Sequence, residues 1–398
     1  SGVRIVVAAL LAGFVLTVGT PAARAQTYNV IYNFTGHSDG AIPYAGVTLD
    51  RAGNLYGTTS NGGDSCGAVF ELAHGRGGWM FTPIHVFSST GGDGCKPQAR
   101  VVFGAGSALY GTTTNGGTQG YGSVFQLLPP VHVCTTPSCP WIETIVHGFS
   151  GPYGEAYPGG GDLIFDPQGN IWGTTEEGWG YLCDDSPCGS IYELTPSQGG
   201  WIETPHNVFS GLGFAPFAGV VRDNVGNLYG TFTALAGGVY EVHDGVLDQL
   251  YAFSGSVETI GGVILDSAGN LYGTTASGGS GGGGTVFKLN PSNSNLTTLY
   301  NFVGPNQDQV GPTANLLMDT QGNLYGTTFV DGAHQQGSVF KLSPSGDNWT
   351  LTTLYDFTGG ADGGRPFGQL TMDANGNLYG TTTLGGSNGD GVVFEITP

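Results

Sequence analysis

Residues 316–357 read LLMD-TQGN-LYGTT-FVDGAHQQG-SVFKL-SPSGDN-WTLTTLYDF. Four short runs dense in aliphatic, β-branched and aromatic residues alternate with clusters of Gly, Asn, Asp, Ser and Pro, which is the composition of strands joined by tight turns. In the D-x-x-G-N turn an Asp side chain stabilises the entry and Gly or Asn tolerates positive φ, so the first two runs form a hairpin. No stretch carries a 3.6-residue apolar period with caps, so almost no helix is expected.

The unit recurs along the chain. The aromatic of the LYGTT word stands at Tyr56, Tyr110, Trp172, Tyr229, Tyr272, Tyr325 and Tyr379, and each is followed by a second word centred on Phe70, Phe125, Tyr192, Tyr240, Phe287, Phe340 and Phe394. A repeat of about 54 residues with four strands suits a propeller blade and is too long for one coil of a two-strand solenoid. Tyr28 to Phe34 (YNVIYNF) matches the fourth strand of the unit, whereas the last copy stops after its third strand, VVFEI. The expected fold is therefore an all-β, seven-bladed β-propeller of four-stranded blades. Tyr28 to Phe34 closes the ring on the outer edge of the last blade, which removes two free edges.

With the strands of a blade lettered a to d, antiparallel order puts the b–c and d–a loops on one face and the a–b and c–d loops on the other. Cys66 (b–c, first unit) and Cys95 (the following d–a loop) share a face, so they are expected to pair. Cys134 with Cys139 and Cys183 with Cys188 are paired by proximity, as an even cysteine count in an exported chain suggests.

Export itself is read from residues 1–25. Arg4 precedes an apolar run from Ile5 to Val18, and Ala23-Arg24-Ala25 supplies a small-x-small cleavage pattern. Residues 26–398 then form a single propeller domain, with no further membrane span expected. Loss of Arg4 and Arg24 leaves eight basic residues against 30 acidic ones, a net charge of −22. Such a surface repels nucleic acid and anionic lipid, so neither is an expected partner.

GNLYGTT, then GG, then GxVFxL, repeated over the whole chain after the leader, resembles the bacterial GloVer tandem-repeat family. The resemblance implies an exported repeat protein, of a kind that carries interchangeable C-terminal anchoring segments. This sequence ends at VFEITP without an apolar tail, so free secretion or a periplasmic location is expected. The GG after strand b and Trp79, Trp201 and Trp349 at strand d also resemble kelch blades. The family implies fold and location and brings no defined activity.

Two groups of residues are candidates for chemistry. After the F-[ST]-G word, an acid recurs at Asp39, Asp93, Glu155, Glu258, Asp308 and Asp362, all on the b–c/d–a face and expected near the mouth of the central channel. Such a ring could hold Ca²⁺ or a sugar. The competing reading, that Asp-Gly is simply a good turn pair, is favoured because a feature present in most copies is scaffold. The b–c loop of the third unit, EEGWGYLCDDSPCG, breaks the repeat most. It offers Glu176, Glu177, Trp179, Tyr181, Asp184 and Asp185, an aromatic platform beside carboxylates of the kind that holds a sugar ring. The histidines follow no HExxH or repeated ligand spacing, and there is no GxSxG, P-loop or dinucleotide fingerprint, so no cofactor, metal or catalytic residue is assigned. The expected function is a non-enzymatic binding or scaffold propeller that engages extracellular polysaccharide or a surface protein. A carbohydrate-active hydrolase or lyase using the channel face is the alternative, and a self-assembling matrix or filament component is a third reading.

Overall fold

The computed structural model describes residues 26–63, 65–130, 141–151, 155–178, 189–208, 215–233, 237–255, 257–304, 311–346 and 348–398. Its strands form seven antiparallel sheets arranged as a seven-bladed β-propeller, each running a-b-c-d from the axis outward. In the sixth blade the four strands are Leu317–Met318, Leu324–Thr328, Ser338–Ser345 and Asn348–Asp356. Among the described residues the one helical element is a three-residue 3-10 turn, Ala105–Ser107.

Each letter of LYGTT has a separate physical task. The leucine is buried between sheets, as Leu324 is beside Phe340 and Tyr272. The tyrosine hydroxyl donates to the turn aspartate, Tyr325 to Asp319 at 3.1 Å, and that carboxylate also accepts from the backbone amides of Gln321 and Asn323 and from Asn323 Nδ2. The glycine is required by a close approach: a Cβ on Gly326 would stand 2.6 Å from Phe340 Cζ, because the tip of the strand c ring reaches strand b at this point. In five blades the first threonine reaches into the next blade, whereas Thr327 Oγ1 of the sixth has no partner among the described residues. Thr58 donates to Ala99 O, Thr174 to Ala218 O, Thr231 to Gly261 O, and Thr381 to Ala45 O at 2.7 Å. The second threonine stays at home, with Thr328 Oγ1 2.9 Å from Ser338 Oγ on strand c. The second blade has Gly104 where others have the turn aspartate, and there Gln126 Nε2 donates to the Tyr110 hydroxyl instead.

The ring closes as the sequence predicts. Thr27–Asn33 pairs antiparallel with Val392–Thr397, giving the last blade its fourth strand. Phe34, fully buried, packs with Phe70 and Val47 of the first blade and with Val393 of the last. Tyr28 stacks on Tyr355 at 3.7 Å, and Tyr32 stacks on Phe81 at 4.3 Å. The first strand therefore fastens to the sheets on both sides of it.

The third blade departs from the four-strand pattern. Its strand b is lengthened to Ile171–Gly178, and an extra strand, Glu155–Pro158, pairs with the added portion. A two-residue ribbon, Gly94–Cys95 with Asn115–Gly116, likewise ties the loop ahead of the second blade to that blade's own b–c loop. Both additions lie on the b–c/d–a face, where insertion lengthens loops without disturbing the core.

Candidate functional site

The channel is built by the few residues that precede strand a in each blade. Small side chains face inward at Ala45, Ala218, Gly261, Ala314 and Gly368, and the cavity between them is about 50 Å³. Ligand pockets span about 300–1,000 Å³, so the bore is too small for a sugar ring. Its charges cancel. Arg100 donates from its backbone N to Asp162 Oδ1 at 2.9 Å and from Nε to Oδ2 at 2.7 Å, which joins the second and third blades inside the channel wall.

Above this bore, on the b–c/d–a face, the channel is closed by aromatic rings. Phe367 of the seventh blade packs on Tyr44 of the first at 4.0 Å, on Phe217 of the fourth at 6.3 Å and on Phe329 of the sixth at 5.7 Å. Blades on opposite sides of the ring therefore touch over the axis. The Arg365 guanidinium lies 5.7 Å from the centre of the Phe329 ring, and Arg365 itself sits at φ +54°. All four residues are half-buried. The sequence carried a signal for this feature in a recurring Pro-aromatic pair, Pro43-Tyr44, Pro216-Phe217 and Pro366-Phe367.

Glu176 stands at the edge of this aromatic floor. It lies at the extended end of strand b of the third blade, and a Cβ on Gly159 would come within 2.9 Å of its Oε1, so glycine makes room for the carboxyl. Burial first, and the charge of Glu177 second, push its pKa from 4.5 up to about 7. Burial, and then the proximity of Glu176, hold the Tyr44 hydroxyl above its ordinary range. Glu177, its chain neighbour, is exposed. Trp179, Tyr181, Asp184 and Asp185 lie outside the described residues, as do Cys134, Cys139, Cys183 and Cys188.

A raised carboxyl has a measurable consequence. Between pH 4.5 and about 7 the unfolded chain gives up a proton that folded Glu176 keeps, so stability falls as pH rises through that window and stays lower above it. Glu176→Gln should remove this slope. Its stability should match wild type near pH 4 and exceed it near pH 8 by about 1–2 kcal/mol once partial exposure is allowed for, seen as a higher melting midpoint. Thermal melts of both chains at the two pH values check this, and parallel pH profiles would contradict it.

Of the repeated acids whose side chains are described, none lines the cavity of the bore, and three of them serve a turn. Asp39 accepts from Thr35 N at 2.9 Å, Thr35 Oγ1 at 2.6 Å and the Tyr32 hydroxyl at 3.0 Å. Asp362 is held the same way by Thr358 and Tyr355, and these bonds keep its carboxyl below the usual range even though burial acts against ionisation. The physical reason is local: the acid caps the turn that leads out of strand d, so its oxygens are already occupied. Asp93 bonds the amides of Ser88 and Gly94, but where the others meet a tyrosine it faces His85. Glu258 is exposed, the side chain of Glu155 is not described, and Asp308 lies outside the described residues. The Cys66–Cys95 disulfide is formed, with Cα atoms 4.4 Å apart, and it pins the loop that carries Asp93.

The sequence profile of the Gloeobacter/Verrucomicrobia repeat matches residues 14–241 and 235–398, and the chain belongs to that family. No curated protein sequence matches it. Among solved structures it is similar to the polysaccharide lyase Uly1, at 11% identity and a TM-score of 0.52 over 94% of this chain and 93% of that one. It is also similar to a periplasmic gluconolactonase of Pseudomonas aeruginosa, at 16% identity and a TM-score of 0.47 over 79% of this chain and 84% of that one. Likeness at these identities concerns the propeller fold.

Proposed function

We propose that this member of the Gloeobacter/Verrucomicrobia repeat family is an exported binding propeller that holds a carbohydrate across its aromatic mouth. The observation that carries this reading is the floor of Tyr44, Phe217, Phe329 and Phe367 over the channel, with the Glu176 carboxyl at its edge. Aromatic faces take the apolar side of a pyranose, and a carboxyl at the rim bonds its hydroxyls. Below the rings the 50 Å³ bore is too small for a substrate, so a ligand rests on the face and does not enter. Export is supported by the Cys66–Cys95 disulfide, which persists in oxidising compartments, together with the leader-like residues 1–25, which lie outside the described residues.

A glycan array and pull-down on insoluble polysaccharide test the reading. The wild-type chain should retain a glycan class from which Phe367→Ala dissociates at least about tenfold more readily, as central aromatic anchors do. Retention of no glycan, or equal retention by the variant with its melt unchanged, would remove it. One feature favours a second reading, a carbohydrate-active hydrolase or lyase: Glu176 titrates near 7, where a general acid works best. Incubating the retained glycan with wild type and Glu176→Gln separates the two. Chain cleavage lost in the variant indicates an enzyme, and an intact glycan with both indicates a binding protein.

A further inference from the structure

At the rim of the propeller the outer strands of neighbouring blades meet in seams, and four of the seven share one grammar. Two residues before the closing phenylalanine of strand d stands a tyrosine, and the next blade presents an apolar or aromatic side chain to it. Tyr32 stacks on Phe81, Tyr355 stacks on Tyr28, and Tyr300 and Leu351 pack into one cluster, as do Tyr251 and Leu296. The seams between the first and second and between the second and third blades break this grammar at both positions; in the latter His147 faces Glu203, with Nε2 3.2 Å from Oε2. In the former His85 replaces the tyrosine and Glu143 replaces the apolar partner, while Asp93 keeps its place in the turn.

These substitutions bring one imidazole and two carboxylates together, their ligand atoms all within 4.8 Å of one another. We propose that His85, Asp93 and Glu143 form a binding site for a divalent first-row transition ion, Zn²⁺ foremost, that clamps the first blade to the second. The distances fit an ion better than they fit direct bonds. His85 Nε2 lies 3.3 Å from Asp93 Oδ2 and 3.4 Å from Oδ1, long for a charge-assisted hydrogen bond. Two ligands at about 2.0–2.1 Å from a tetrahedral ion stand about 3.3 Å apart. Glu143 Oε1 is sealed from solvent and has no hydrogen-bond partner among the described residues. Burial first, and then facing Asp93, push the Glu143 carboxyl up, with His85 opposing them. A cation between the two carboxylates relieves that repulsion.

The surroundings are built as a ligand shell. Asp93 is oriented by the amides of Ser88 and Gly94, and its loop is tied down by the Cys66–Cys95 disulfide two residues on. The His85 ring is steered edge-on against Phe87 at 4.7 Å. The His85 and Asp93 side chains keep 20% and 16% of their exposure, an opening through which an ion can enter and a water can complete the coordination. An imidazole with two carboxylates suits Zn²⁺ and its neighbours, whereas Ca²⁺ and Mg²⁺ prefer all-oxygen sites.

The test uses the whole chain, untagged and freed of metal by chelation. Isothermal titration with Zn²⁺ should show one site lost in the double variant His85→Tyr/Glu143→Leu. That variant gives this seam the tyrosine and leucine found at Tyr251 with Leu296 and at Tyr300 with Leu351, so it should fold with the blades packed. Saturating Zn²⁺, at about 100 times the dissociation constant, should raise the wild-type melting midpoint by about 2–5 °C and leave the double variant unmoved, with Ca²⁺ inert on both. A wild-type chain that takes up no Zn²⁺, or a folded double variant that takes it up equally, would overturn the site. Should the double variant fail to fold, Glu143→Gln alone carries the same expectation, since it is close to isosteric and removes one anionic ligand.

Discussion

Removal of residues 26–34 is expected to abolish the cooperative unfolding of the propeller. The strand Thr27–Asn33 supplies the fourth strand of the last blade, and the Phe34 that follows it is fully buried between the last blade and the first. With the stacked pairs of Tyr28 and Tyr32 included, three aromatic side chains lose their packing at once. At about 1.5–3 kcal/mol for each large apolar side chain buried, the loss is comparable with the whole stability of an ordinary domain. The truncation also bares the edge of Val392–Thr397, an unpaired strand that invites association between chains. Urea unfolding followed by both tyrosine and tryptophan fluorescence and by far-ultraviolet circular dichroism should give non-coincident curves with a lower midpoint. A peptide of residues 26–34 added in excess should restore part of the transition. A truncated chain that unfolds at the wild-type midpoint with coincident curves would show that the Thr381–Ala45 bond and its neighbours close the ring unaided.

The scaffold was legible because each of its residues acts locally and seven times. Asp319, Asn323 and Tyr325 solve a turn within seven residues, and the spacing of the LYGTT and VFKL words fixes strand order. Ring closure followed from counting strands at the two ends of the repeat, and Cys66–Cys95 from knowing which loops share a face. The site was harder to see because its parts are single residues from distant copies. Tyr44, Phe217, Phe329 and Phe367 come from four blades, and only closure of the ring brings them over one axis. Position after Pro was the available signal for three of them, and it occurs in too few copies to stand out against sevenfold words. The seam of His85, Asp93 and Glu143 was hidden for the converse reason. Asp93 was visible as one acid in a repeated series, yet its neighbours are what distinguish it, and those lie eight residues before it and fifty after. Asp39 and Asp362 bond the strand they follow, which is the turn role the sequence favoured for the repeated acids over a ligand-holding ring.

The second large effect lies at the crossing of the two words, and it separates packing from conformation as the reason for the glycine. Gly326 is not in the left-handed region, so its role is to leave space for the ring of Phe340, which is 1% exposed. Phe340→Ala should cost about 3–5 kcal/mol, the usual result of emptying a buried aromatic site. Gly326→Ala alone should cost about 1–3 kcal/mol, because a methyl 2.6 Å from Cζ forces the ring off its rotamer and against Phe302. If the glycine serves packing, the second change becomes harmless once the ring is gone. In the Phe340→Ala background Gly326→Ala should be neutral or slightly stabilising, since alanine enters a strand with less loss of backbone entropy than glycine. Urea midpoints of the four chains close this double-mutant cycle with a coupling of at least about 1 kcal/mol. Additive costs would mean that Gly326 is retained for its backbone. The argument would then fail in all seven blades, because Gly57, Gly111, Gly173, Gly230, Gly273 and Gly380 each face the aromatic of their own strand c within 2.6 Å in the same way.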